Sequence, residues 1–240
     1  MRRIVLAIFI AVSATASPAT AQTSEQQWEW CGDASDQDRA IASCTALIES
    51  GQETLEKLAL AYSNRGYYLT NKRQYDRAIP DLDRAIRLDP QNALALVNRA
   101  HANTGAEQYD RALADLDRAI EIDPSSAPAF NDRCWVRAIR GALSEALADC
   151  DESLRLRPDA AVTLDSRGFV YLKLDRAEQA IADYAAALAQ RPRSASSLYG
   201  RGLAHLRQSD NTDGERDIEA AKRINPDIAA QFRRWGVTGP

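Results

Sequence analysis

The sequence predicts an all-α fold, a solenoid of antiparallel helix pairs, and three observations lead to that prediction. Prolines recur every 34 residues, at Pro90, Pro124, Pro158, Pro192 and Pro226. Small residues keep the same step, and two such columns are Gly66, Ala100, Cys134, Gly168, Gly202 and Ala78, Ala112, Ala146, Ala180, Gly214. Each unit also holds two stretches whose apolar residues follow helical spacing. A fixed period of this length is typical of repeat arrays.

The first 21 residues have the layout of a secretory signal peptide. Arg2 and Arg3 precede an apolar stretch, and the segment ends in Ala-Thr-Ala, which fits an A-x-A cleavage site. The apolar stretch is far shorter than the roughly 20 residues that span a bilayer, so an uncleaved anchor is disfavoured. We expect cleavage after Ala21 and an exported, periplasmic chain without a membrane span.

The charge balance of the mature chain disfavours nucleic acid as a partner. Of 30 basic residues, Arg2 and Arg3 leave with the signal peptide, so that 28 remain against 34 acidic residues and the net charge is −6. A mildly acidic chain without a basic run has no means of neutralising a phosphate backbone.

Residues 22–58 are an N-terminal segment ahead of the regular repeats. Within it, residues 37–50, "QDRAIASCTALIES", match the second helix of a unit alone, with Ala40 in a small column and Cys44 in a bulky one. An offset near residues 51–58 separates this partial repeat from the array. Atypical units are expected at the ends of a repeat array.

The first complete unit shows the helix pair clearly. Its first helix contains "LALAYSNRGYYLT", and its second is "YDRAIPDLDRAIRL", where Ile79, Leu82 and Ile86 share one face. The proline that closes each unit ends the second helix. Short polar residues then start the next helix as N-caps, namely Asn92, Ser126, Asp159, Ser194 and Asp227.

This unit resembles the tetratricopeptide repeat family, whose pattern sets bulky and small residues at fixed places before a proline. Those places hold Tyr62, Gly66, Leu69, Ala78, Leu82, Ala85 and Pro90 in the first unit. They hold Leu164, Gly168, Tyr171, Ala180, Tyr184, Ala187 and Pro192 in the fourth. The resemblance implies a right-handed superhelix with units at 59–92, 93–126, 127–160, 161–194 and 195–228.

Residues 227–240 are expected to form a C-terminal capping helix and tail. The stretch "DIAAQFRRWG" would lay Ile228, Phe232 and Trp235 over the last exposed apolar face of the array. A cap of this kind keeps the end of a solenoid from exposing its core.

Four cysteines form two local pairs, Cys31 with Cys44 and Cys134 with Cys150. The geometry implied by the resemblance puts the second pair where the two helices of one unit face each other. Export to an oxidising compartment favours disulfides, and four free buried thiols are the alternative. A metal site is not predicted, because neither pair has C-x-x-C spacing and both histidines lie in other units.

Arginine and aspartate form two further columns with the same period. The columns are Arg65, Arg99, Arg133, Arg167, Arg201 and Asp81, Asp115, Asp149, Asp183, Asp217. We expect a repeated ion pair, within or between units, that fixes how the units stack. The alternative is solvated surface charge worth about 0–1 kcal/mol per pair.

The resemblance implies that the first helices line a concave groove along which a partner peptide lies. The side chains placed there form an aromatic and amide-bearing stripe, namely Asn64, Tyr67, Asn98, His101, Asn131, Trp135, Phe169 and Tyr199. Such side chains suit apolar contacts and the peptide backbone. Packing between neighbouring units is the alternative for each aromatic. Capture of a chaperone carboxylate is disfavoured, since Pro128 and Asp132 stand where basic residues are needed.

These features predict a non-catalytic scaffold or adaptor of the cell envelope with a protein or peptide partner. No catalytic residue and no cofactor is predicted, because the sequence has no apparent triad, no phosphate-binding glycine loop and no H-E-x-x-H motif. The alternatives to a scaffold are a self-associating structural protein, for which a homo-oligomer is possible, and an enzyme.

Overall fold

A computed structural model describes residues 23–239, so the predicted signal peptide (1–21) lies outside the described residues. This part of the chain contains helices and no strand. The helices are α1 (Ser24–Gly32), α2 (Gln37–Ser50), α3 (Leu55–Asn71), α4 (Tyr75–Leu88), α5 (Ala93–Gly105), α6 (Tyr109–Ile122), α7 (Ala127–Arg140), α8 (Leu143–Leu156), α9 (Ala161–Lys173), α10 (Ala177–Gln190), α11 (Ala195–Arg207), α12 (Asn211–Ile224) and α13 (Ile228–Arg234). Over residues 23–239 no helix is both long and apolar enough to cross a membrane.

The helices stack as consecutive pairs, which confirms the predicted all-α repeat fold. Each first helix of the regular array packs on its own second helix, and the first helices of successive units also pack on one another. The first helices α3, α5, α7, α9 and α11 therefore form one continuous side of the solenoid. The N-caps predicted at Asn92, Ser126 and Ser194 each accept a backbone N–H of the following helix.

The small columns let paired helices approach closely. Ala78, Ala112 and Ala146 are fully buried between the two helices of their units. Helices of neighbouring units also approach closely at Gly200 of α11, where an added Cβ would lie 2.3 Å from Cζ of Tyr184 in α10. Tyr184 fills the bulky place of the fourth unit and occupies the space that a larger residue at 200 would need.

The N-terminal segment differs from the prediction of a second helix alone. The helix α1 precedes α2 and packs against it, so the segment is a short helix pair. Thr23 caps α1 by accepting the backbone N–H of Gln26 at 3.2 Å. The repeat pattern did not predict α1, because its residues match none of the columns. The helix α3 begins at Leu55, ahead of the predicted unit boundary at residue 59.

The turn inside each unit places one residue in the left-handed region. Arg73, Glu107, Asp175 and Ser209 have φ between 58° and 62°, and Gly141 holds the equivalent place in the third unit with φ of 85°. A non-glycine residue in this conformation costs about 1–2 kcal/mol. The third unit avoids that cost through its glycine.

Replacing Gly141 by alanine is expected to lower the free energy of unfolding by about 1 kcal/mol. No atom lies within 4 Å of the added Cβ, so the loss comes from the backbone alone. Urea unfolding followed by circular dichroism measures it. Glu107→Gly is the converse control and should not lower stability, and a Gly141→Ala variant as stable as the wild type would contradict the argument.

Candidate binding groove

The arginine and aspartate columns meet inside every regular unit. Each arginine on a first helix donates two hydrogen bonds to the aspartate on the second helix of the same unit. The aspartates are only 3–8% exposed, unlike solvated surface charges. The shortest nitrogen–oxygen distances are 2.6–2.7 Å in the pairs Arg65–Asp81, Arg99–Asp115, Arg133–Asp149, Arg167–Asp183 and Arg201–Asp217.

Three of these arginines also reach the preceding unit. Their Nη1 atoms donate to a second aspartate column, which has the 34-residue period but was not used in the sequence analysis. The contacts are Arg99–Asp83 at 2.7 Å, Arg133–Asp117 at 2.8 Å and Arg167–Asp151 at 2.8 Å. Each of these guanidinium groups thus ties the second helix of one unit to the first helix of the next.

Two disulfides lie at the positions that the cysteine spacing suggested. Cys31 bonds to Cys44, which joins α1 to α2, and their Cα atoms are 4.8 Å apart. Cys134 bonds to Cys150, which joins α7 to α8, with a Cα distance of 5.4 Å. All four residues are fully buried. The bridges fit the predicted role as structural links.

The N-terminal part of the predicted stripe is only partly open. Tyr67 and His101 are exposed on the first-helix side. Asn64 instead donates its Nδ2 to the carbonyl of Cys31 at 3.3 Å, and Asn98 donates to Oγ of Ser63 at 3.4 Å. These two amides therefore bond between neighbouring helices, and Asn98 does so from a buried position.

The C-terminal part of the stripe is covered by α13, which corrects the prediction of an open groove there. Phe169 is 1% and Tyr199 8% exposed, because the ring of Phe232 lies 5.8 Å and 4.8 Å from theirs. Trp235 reaches further back and packs edge-on against Trp135 at 4.8 Å. The helix α13 thus packs on the last unit, and the rings of Phe232 and of Trp235, which follows the helix, extend the cover to the fourth and third units.

Lys173 holds the end of α13 in this position. Its Nζ donates to the carbonyl of Ala138 at 2.7 Å and to that of Trp235 at 3.0 Å. Burial lowers the pKa of the Lys173 ammonium, and its position over the ring of Phe169, 5.6 Å from the centroid, adds a favourable contact. The bond to Trp235 links positions 62 residues apart in sequence.

A second row of groove residues was missed by the sequence analysis. Leu60 and Leu94 lie seven residues before Tyr67 and His101, and therefore on the same helix faces. They are 45% and 61% exposed, and Val162 at the same place in the fourth unit is 50% exposed. The 34-residue period could have revealed this row, because apolar residues recur at this place in the first four units. We call Leu60, Leu94, Pro128 and Val162 the apolar row.

A polar contact crosses the groove between α5 and α7. Nε2 of His101 lies 2.5 Å from Oδ2 of Asp132. Burial lowers the pKa of His101, but the hydrogen bond and the negative charge of Asp132 outweigh it and raise the pKa above its usual value. A larger fraction of His101 is therefore protonated near neutral pH than for a free histidine.

One cluster outside the groove has side chains of the kind that bind metals. The ligand atoms of His205, Asp210 and Asp213 lie within 4.8 Å of one another. Internal contacts account for two of them, since Asp210 caps α12 and its Oδ2 lies 3.0 Å from Nδ1 of His205. The cluster is therefore explained by Asp210, which starts α12 as its N-cap and pairs with His205.

A model of the tetratricopeptide repeat family matches residues 63–127, 105–161 and 167–227, which together are more than half of the chain. No curated protein matches the chain significantly.

Solved structures share the fold at low sequence identity. A tetratricopeptide repeat protein from Parabacteroides merdae gives a TM-score of 0.67 at 17% identity, with 88% of this chain and 87% of that chain covered. PilW, a type IV pilus biogenesis factor, gives 0.64 at 18% identity, with 74% and 86% covered. YrrB, a repeat protein with an unusual peptide-binding site, gives 0.55 at 19% identity, with 82% and 100% covered. Identities of this size support a common fold alone.

Proposed function

The chain belongs to the tetratricopeptide repeat family, and from that premise we propose that it is a non-catalytic scaffold or adaptor of the cell envelope that binds a segment of a partner protein in its groove. Proteins of this family act as interaction scaffolds, and some bind peptides. The fold typically serves as a scaffold without catalysis.

The apolar row is the observation that carries this proposal. Leu60, Leu94 and Val162 expose large apolar side chains at equivalent places of the first, second and fourth units. They lie on the faces that also carry Tyr67 and His101. Exposed apolar side chains that recur along one face of a solenoid, next to polar ones, suit an extended or helical peptide.

The helix α13 limits the proposed site to the N-terminal and central units. It covers Phe169 and Tyr199, so a partner is expected to lie over α3, α5, α7 and the start of α9, where Val162 is exposed, and to end near Trp235. The groove beyond that point is filled by the chain's own C-terminus. The proposed site therefore uses fewer of the stripe residues than the family pattern implies.

The envelope location is part of the proposal and rests on two supports. One is the leader pattern of residues 1–21, with cleavage after Ala21. The other is the pair of disulfides, which are rare in reducing compartments and common among exported proteins. Neither support depends on the groove.

The test compares partner capture by the chain 22–240 with capture by a groove variant, Leu60→Ser with Leu94→Ser. Both leucines are exposed, so their replacement is expected to leave the fold intact and to remove apolar contact with a partner. Captured proteins from a cell-envelope extract are identified by mass spectrometry. We expect at least one envelope protein to be retained by the wild type and lost with the variant.

A matched control separates the groove from general stickiness. Leu55→Ser with Ile224→Ser removes two exposed apolar side chains that lie outside the apolar row, at the ends of α3 and α12. This control should retain the partner. Equal capture by the groove variant and the wild type would contradict the proposed site, and loss with the control as well would indicate nonspecific apolar binding.

A further inference from the structure

A pocket of about 380 Å³ lies on the groove side where α13 ends. It is bounded by first helices of the second to fifth units, with Trp235 closing one side. The lining residues that matter here are His101, Asn131, Asp132, Trp135, Asp165 and Trp235. Two carboxylates and two indole rings thus line one space. His101, the one basic side chain of the described residues that lines it, pairs with Asp132 at 2.5 Å, which leaves Asp165 as the carboxylate without a cation.

Asp165 is a largely enclosed carboxylate whose contacts are neutral. It accepts hydrogen bonds from the hydroxyls of Ser196, at 3.2 Å, and Ser197. No salt bridge joins it to a basic side chain within residues 23–239, and Arg191 acts on it only at longer range. Burial raises the pKa of Asp165, and the serine hydrogen bonds offset this only in part. A cation in the pocket would relieve that unfavourable burial.

Asn131 adds an acceptor that the protein itself does not use. The residue is 7% exposed and lines the pocket, and its Oδ1 has no hydrogen-bond partner within residues 23–239. Its Nδ2 donates to Oδ1 of Asp132 at 3.1 Å, which fixes the orientation of the amide. A buried acceptor without a partner costs about 1–3 kcal/mol. That Oδ1 is itself enclosed, with less than 1 Å² of accessible surface, so the amide frames the pocket and is not counted among the groups that meet a ligand.

The two tryptophans complete a site with the chemistry of a cation binder. The rings of Trp135 and Trp235 meet edge-on at 4.8 Å and are partly buried. Indole faces attract ammonium and guanidinium groups. Guanidinium also presents five N–H donors in one plane, which suits the carboxylate of Asp165.

We propose that this pocket recognises an arginine or lysine side chain of the partner segment. The inference rests on the proposed function, since it assigns the chemistry of the peptide bound in the same groove. The apolar row would hold apolar residues of the segment, and the pocket would fix its register through one basic residue. An acidic C-terminus, by contrast, would meet Asp132 and Asp165 and be repelled.

The test begins with a random decapeptide library selected on the chain 22–240. We expect the enriched peptides to share a basic residue at one position. The best peptide and its version with citrulline or glutamine at that position are then compared by calorimetry. Loss of the charge is expected to weaken binding about tenfold or more.

A double-mutant cycle assigns that preference to the pocket. Asp132→Asn with Asp165→Asn keeps the shape and should bind the basic and neutral peptides equally. Glu145→Gln with Glu178→Gln removes two exposed carboxylates from α8 and α10 and should keep the preference. Circular dichroism verifies that both variants are folded.

The possible outcomes separate the inference from the function it rests on. Enriched peptides without a basic residue that depend on Leu60 and Leu94 would overturn the cation pocket and leave the proposed function standing. A preference for basic peptides that survives in the Asp132→Asn, Asp165→Asn variant would overturn the pocket as its source. Failure to enrich any peptide would overturn both.

Discussion

Replacing Arg167 by alanine is expected to lower the free energy of unfolding by about 3 kcal/mol or more, the cost of breaking one side of a buried ion pair. Arg167 donates to both oxygens of Asp183, at 2.7 and 2.9 Å, and the aspartate side chain is 10% exposed. No other basic side chain pairs with Asp183 within residues 23–239, so the variant leaves a buried carboxylate without a cation. Thermal melting should shift by roughly 6 to 12 °C for a chain of this size.

Arg133→Ala is the matched comparison because its aspartate has a second partner. Asp149 also accepts from Nη1 of Arg137 at 2.7 Å. This variant should therefore lose clearly less stability than Arg167→Ala, although both remove a ladder arginine with a contact to the preceding unit. Equal losses would contradict the importance of the second partner, and unchanged melting in both would show that the ladder contributes nothing to stability.

An apolar replacement of the whole pair distinguishes stability from stacking geometry. Arg167→Met with Asp183→Leu removes both charges and should recover much of the loss, since buried ion pairs rarely outperform well-packed apolar residues. The contact of Arg167 with Asp151 in the preceding unit is absent in this variant. Small-angle scattering would report any change in the curvature of the solenoid that follows.

The repeat array could be predicted from the sequence because its interactions are periodic and short in range. A residue in one unit meets the same partners as its equivalent in the next, so a column of five identical residues carries five copies of one signal. The spacing from Arg65 to Asp81 recurs in every regular unit. The helix pairs and the pairing of cysteines within one unit follow from the same local geometry.

The position of α13 could not be predicted in this way. Its residues fall outside the period, and its docking depends on how the first helices curve around it. Trp135 meets Trp235 across 100 positions of sequence, and no column contains both. The prediction of an open groove at Phe169 and Tyr199 was wrong for that reason. The apolar row was missed for a different one, since exposed and buried apolar columns look alike until the stacking is known.

Removing the Cys134–Cys150 disulfide is expected to lower the free energy of unfolding by about 3 kcal/mol, the chain-entropy value for a closed loop of this size. The bridged residues are 16 apart in sequence and fully buried. The second unit shows what an unbridged pair looks like, because it carries Ala100 and Leu116 at the same two places. The variant Cys134→Ala with Cys150→Leu copies that packing and so removes the covalent link with little loss of buried volume.

The reductant dependence of melting separates the covalent link from packing. The wild type should melt at a lower temperature with a strong thiol reductant than without it. The reductant breaks the buried bridge when unfolding exposes it, and the unfolded chain then loses that constraint. Cys31 and Cys44 remain in the variant, so its smaller response to reductant measures the N-terminal bridge alone. The difference between the two responses is then the contribution of Cys134–Cys150. A variant that melts like the oxidised wild type would show that α7 and α8 are held by packing and by Arg133 and Arg137, and that the bridge adds no stability of its own.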